Sequence, residues 1–115
     1  MEIIFEIEDK NGKRIHLSKE RYKHISKHPK MHDPLENIKL TIQNPITIRC
    51  NEDDESVAYY YKEFKNNDPE ERYLLVSVKY LNGEGFIITS FFTNKITGLK
   101  WKTKWISIMM KKEIS

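Results

Sequence analysis

The sequence predicts an α+β domain: an N-terminal hairpin, two helices packed on a four-stranded antiparallel sheet, and a basic C-terminal tail. Three observations carry this. Residues 19–44 hold two segments with helical spacing, each opened by a capping residue and closed before a proline. From Pro45 the apolar pattern switches to period two and keeps it through four runs. Those runs are separated by NEDDE, NNDPEE and NGEG, all of them turn chemistry.

Taken in order, EIIFEIE alternates as a strand, DKNG makes a turn and KRIHL a second short strand. Ser18 is placed to cap a helix from about Lys19 to His28, which stops near Pro29 because the residue before proline disfavours helical dihedrals. The capping box is incomplete, since Arg21 stands where Glu or Gln would complete it. Asp33 followed by Pro34 is a capping acid with proline at the first helical position, and Leu35, Ile38 and Ile42 follow at helical spacing until Asn44–Pro45. PITIRC, SVAYYYKEF, RYLLVSVKYL and GFIITSFFT then form a meander of hairpins, with the helices covering one face. There is no internal repeat and no low-complexity linker.

At 115 residues the chain makes one domain, which buries roughly two-thirds of the surface its unfolded form exposes and needs no metal or disulfide merely to fold. The single cysteine, Cys50, excludes an internal disulfide and a cysteine-rich zinc cluster and fits a reducing interior. The start MEIIFEIED puts acids where a secretory signal would put lysine and an apolar run. No segment has the ~18 apolar residues of a membrane span, so the expectation is a soluble, cytoplasmic protein without membrane contact. The net charge of +3 is uneven, with six lysines against one glutamate in residues 95–115, and fourteen basic against sixteen acidic side chains in residues 1–94. Such a tail suits phosphate, an anionic surface or an acidic protein, and charge does not choose among them. Within it Trp101, Trp105 and Ile108 share a helical stripe, which fits packing on the body or on a second subunit better than stacking on RNA. No oligomeric state follows. The run Glu52, Asp53, Asp54, Glu55 reads as a solvated hairpin tip.

The chemistry concentrates in RYKHISKHPKM, residues 21–31. At about 100° per residue, Arg21, His24 and His28 fall within an arc of roughly 60°. Tyr22 and Ile25 form the neighbouring stripe that packs on the sheet, and Lys19, Lys23 and Lys27 point to solvent. The Arg/His/His row then lies along the seam of helix and sheet, where a groove would be. A structural role would have His28 close the helix C-terminus and His24 sit satisfied in the seam. A metal role would pair the histidines with His32, Asp33 or His16, but no glutamate stands inside the pair, and three lysines and an arginine surround it. The expectation is therefore no metal and no cofactor. Phosphate chemistry fits better: metal-free RNA cleavage needs a base, an acid and fixed cations. In-line displacement wants base and acid on opposite sides of phosphorus, so one partner should come from the sheet. There Tyr59, Tyr61 and Glu63 share one face and Tyr60, Lys62 and Phe64 the other; Ser77 aligns with Lys79, and Thr89 and Phe91 with Thr93. Lys79 and Thr89, facing the histidine helix, would hold a phosphate, while Tyr61 would stack a base or donate a proton.

From about Ile15 to Asn94 the chain resembles the phage-associated nucleases of the barnase/EndoU/colicin E5/RelE superfamily, the BECR-fold nucleases. LSKERYKHISKHPKM, the Asn44–Pro45 pair opening a strand, YYYKEF and ITSFFTNKI carry the resemblance. It implies a two-helix, four-strand fold and metal-independent RNA cleavage, often as a toxin in conflicts between genetic elements. RNA is then the substrate, and an antitoxin or immunity protein a candidate partner. The resemblance makes His24 the catalytic helix histidine, with Arg21 and His28 beside it and Thr89 and Thr93 as polar residues of the last strand. Tyr61, Lys62 and Lys79 stay open for substrate binding and for the acid. The expectation is a single domain over residues 1–115, core 15–94 and tail 95–115, acting as an endoribonuclease. The alternatives are a catalytically silent RNA- or protein-binding domain and a metal-dependent hydrolase.

Overall fold

The computed structural model describes residues 2–9, 11–27, 31 and 33–100. In chain order they form β1 (Ile3–Glu8), β2 (Arg14–Ser18), α1 (Lys19–Ser26), α2 (Pro34–Gln43), β3 (Thr47–Cys50), β4 (Val57–Glu63), a 3₁₀ turn (Pro69–Glu71), β5 (Tyr73–Leu81), β6 (Glu84–Thr93) and the two-residue β7 (Leu99–Lys100). The four period-two runs are β3 to β6. They do pair as antiparallel neighbours.

The sheet is larger than those four strands and is not all antiparallel. The N-terminal hairpin joins it, with β2 lying parallel to β6 through Ile15 opposite Gly85 and His16 opposite Phe86. The order is β1-β2-β6-β5-β4-β3-β7, a mixed sheet. Gly85 is what admits β2: a Cβ there would meet Val78 Cγ1 at 2.8 Å and Ile15 Cγ1 at 3.1 Å. In consequence Ile15, His16, Leu17 and Ser18 are all buried, where a hairpin lying outside the sheet would show alternation.

Both helices cover one face, α1 on β2 and β6, α2 on β4 and β5. Ile25 of α1 and Ile38 and Ile42 of α2 meet Ile15, Leu17, Ala58, Tyr60, Val76 and Val78 in the core, each isoleucine contributing roughly 1.5–3 kcal/mol by leaving water. Ser18 caps α1 by accepting the Arg21 N–H at 3.2 Å. The helix ends at Ser26 with Lys27 as its C-cap, and His28 lies outside the described residues. Pro34 opens α2, but Asp33 makes no side-chain cap: it takes left-handed dihedrals, φ 45° and ψ 54°, instead of the extended backbone from which a capping carboxylate reaches the first turn.

A buried cluster pins the hairpin turn to the sheet. Asp9 Oδ1 accepts the N–H groups of Asn11 and Lys13, each at 2.9 Å, and Oδ2 accepts the hydroxyls of Tyr60 at 2.8 Å and Tyr80 at 3.4 Å. The two tyrosine hydroxyls also touch each other. Burial, reinforced for Tyr60 by Tyr80 and Asp9, drives both phenols far above their ordinary pKa. They therefore act as fixed donors.

Among the described residues the opposite face of the sheet carries no helix. Residues 94–98 run across it from β6 to β7: the Thr97 N–H donates to the Tyr61 hydroxyl at 3.2 Å, and a Cβ on Gly98 (φ 92°) would stand 3.2 Å from the Tyr59 ring.

Candidate functional site

The parallel ladder between β2 and β6 stops after His16 and Phe86. Beyond it β2 runs into α1, and β6 bulges, with Ile88 the extra residue between Ile87, opposite Val78, and Thr89, opposite Ser77. The two strands part, leaving a cleft of about 520 Å³. One wall is His16, Ser18 and the first turn of α1, Glu20 and Arg21; the other is Lys79 and Leu81 of β5 with Phe86, Ile87 and Ile88 of β6. Arg21 and Lys79, far apart in sequence, thus line one space.

Each charge there has a history. Lys79 Nζ donates to Asp54 Oδ2 at 2.7 Å, and that bond, helped by Ser56, lowers the Asp54 carboxyl to about 2. The acidic run is therefore more than a solvated tip, because Asp54 clamps the cleft lysine. His16 is held three ways: Nδ1 lies 3.3 Å from Glu6, Nε2 lies 3.3 Å from Glu84, and its ring stacks on Phe86 with centroids 5.0 Å apart at 21°. Both ring nitrogens are thus engaged with carboxylates. The N-terminal end of α1 adds its partial positive charge to the cleft, and the Glu20 carboxylate opposes it.

The other candidates separate. His24 stands one turn beyond Arg21, roughly 4.5 Å along the helix axis; it is exposed, and its ring makes no hydrogen bond among the described residues. Lys79 and Thr89 do not face the helices as expected. With Val76, Val78 and Tyr80 in the core, period two forces Lys79 to the opposite face, and it reaches the cleft because the gap between β2 and β6 opens there. Thr89 lies on that face opposite Ser77. Thr93 is roughly 13 Å further along β6, where its hydroxyl accepts the Lys95 N–H at 3.3 Å and starts the crossing segment. Tyr61 is only 1% exposed and its hydroxyl is engaged by Thr97, so it is withdrawn from stacking or proton donation. Lys62, opposite the core residue Leu74, is on the helix-covered side, away from Lys79. Trp101 and Trp105 lie outside the described residues.

Among the described residues no group of three or more His, Cys, Asp and Glu is placed to hold a metal ion, and no helix is long and apolar enough to cross a membrane. His16, which the sequence offered only as a third metal ligand, is the buried histidine of the site. Its signal was faint, a histidine between two apolar residues in KRIHL.

The family model described as phage-Barnase-EndoU-ColicinE5/D-RelE like nuclease2 matches residues 4–108. The chain belongs to this family. It is accordingly a nuclease of the BECR type, and the match takes in the first hairpin, whose β2 builds a wall of the cleft. No curated protein and no solved structure matches the chain. The cleft of this BECR nuclease is lined by a guanidinium and an ammonium, with an exposed imidazole a turn away on α1.

Proposed function

We propose that this BECR nuclease is a metal-independent endoribonuclease acting by general acid–base chemistry. The observation that carries the reading is the meeting of Arg21 and Lys79 across one cleft, beside an exposed histidine on the same helical stripe as Arg21. RNA brings its own nucleophile. The 2'-hydroxyl attacks the adjacent phosphorus, the bond to the 5'-oxygen breaks, and a 2',3'-cyclic phosphate and a 5'-hydroxyl result. Arg21 and Lys79 hold the phosphate oxygens as negative charge builds on them. His24 moves a proton at the reacting oxygens, and Thr89 offers a hydroxyl from the sheet side. The second proton transfer falls to the sheet side of the phosphate, where Lys79 is the candidate, and His28 stands beside His24 in the histidine row. A toxin-like nuclease working in the cytoplasm also calls for an antitoxin or immunity protein as partner.

Cleavage of a mixed RNA pool in excess EDTA, wild type beside His24→Ala, tests this. The expected outcome is cyclic-phosphate ends from the wild type and a loss of at least ~10²-fold in the variant, with an unchanged melting temperature because His24 is exposed. An active, folded His24→Ala protein removes the assignment. Cleavage that dies in chelator points to a metal-dependent hydrolase, and no cleavage under any condition to a binding domain.

A further inference from the structure

The cleft has two textures, and the phosphate grip accounts for one. Arg21 and Lys79 form a cationic rim; below and beside them lie Leu81, Phe86, Ile87 and Ile88. Leu81 is 53% exposed, and Phe86 is only partly covered. Ile87 belongs to the core at 2% exposure, so the reachable apolar surface is that of Leu81, Phe86 and Ile88, and beside two cations it matches a ligand with an anionic end and a flat, weakly polar body. The volume, about 520 Å³, falls in the range of small-molecule sites.

We infer that this apolar half is a subsite for one unstacked nucleobase, seated on Phe86 and Leu81 with its own phosphate between Arg21 and Lys79, and that the substrate is single-stranded. The inference rests on the endoribonuclease reading and deepens it. A duplex keeps its bases paired and stacked, whereas loops and ends can place a base on an aromatic ring.

The anchoring of Phe86 supports this use. A stacking platform works best when its ring is already fixed, because little ordering then remains to be done on binding. His16 fixes it: the imidazole lies against one face of Phe86 at 5.0 Å and 21°, and is itself held from both sides by Glu6 and Glu84. Glu6 is further tied to Arg14 at 3.1 Å. His16 is thus a positioning residue. It reaches substrate through Phe86 and does not need a free ring nitrogen.

The test is binding, by fluorescence anisotropy, of short single strands with 2'-deoxy sugars, which lack the nucleophile, carrying one abasic position moved along the strand. Wild-type protein is expected to lose tenfold or more at one position of the scan, and to bind the matching duplex at least tenfold more weakly. Phe86→Ala should flatten the scan to less than twofold. His16→Gln should weaken binding of intact strands while leaving binding of the abasic strand unchanged, a split that general loss of structure would not produce. Arg21→Ala should weaken intact and abasic strands alike. A flat scan with tight wild-type binding overturns the subsite and leaves the phosphate grip standing. Failure to bind any strand overturns both. The wild-type scan decides the matter even if Phe86→Ala does not fold.

Discussion

Asp9 and His16 are both buried, at 6% and 8% exposure, and both belong to the first hairpin, yet the fold uses them differently. Asp9 spends its oxygens on two turn N–H groups and two phenols that burial keeps protonated. Nothing in that cluster is left to offer a ligand. His16 instead leans on Glu6 and Glu84, both partly exposed, and on Phe86, which lines an open cleft. A buried titratable group is therefore no signal of a site in itself. What distinguishes the two is whether its partners are sealed in or can be reached.

The contrast can be broken most forcefully at Asp9. Asp9→Ala leaves two turn N–H groups and two buried hydroxyls without their acceptor, and should cost roughly 3 kcal/mol of stability. Urea unfolding measures this. The cleavage rate per folded molecule should stay at the wild-type value, and a folded but inactive Asp9→Ala would end the distinction between sealed and reachable clusters.

Arg21→Ala should behave in the opposite sense, changing stability by within about 0.5 kcal/mol since Arg21 is exposed. Binding to single-stranded RNA should weaken by about tenfold, the order expected for one charge-assisted contact. The slope of log affinity against log salt should fall in magnitude by about 0.7, as for one phosphate contact fewer. An unchanged slope would remove Arg21 from the phosphate grip.

The smallest expected effect is at the clamp. In the proposed grip Asp54 would compete with a substrate phosphate for Lys79, so Asp54→Asn should tighten RNA binding by roughly two- to fivefold at low salt, fading as salt screens the surface pair. Weaker binding would mean that Asp54 positions the lysine more than it restrains it. The pH dependence has a definite sign: with its pKa lowered from 3.8 to about 2, Asp54 supports the pair fully above the unfolded value and loses it only as pH falls through the folded one. Between pH 5 and 8 the ratio of affinities of Asp54→Asn and wild type should therefore be constant. A ratio that drifts across this range would show another titrating group acting on Lys79.

Much of the secondary structure was legible because its signals are short-range. Ser18 capping α1, Pro34 opening α2 and the alternation of β3 to β6 depend on residues within a turn or a strand of one another. So did the chemistry of the histidine helix, which placed Arg21 and His24 on one stripe before any strand had a neighbour. Which residues share a space was a different matter. The parallel join of β2 to β6 rests on Ile15 meeting the bare Gly85, and nothing near either residue announces the other. From that join follow the burial of His16, the gap that forms the cleft and the approach of Lys79 to Arg21. The clamp by Asp54 and the enclosure of Tyr61 beneath residues 94–98 are likewise long-range contacts. Periodicity and capping are local energies and can be read along the chain. The site is made by pairings between distant segments, whose closure entropy is repaid only when the whole sheet forms.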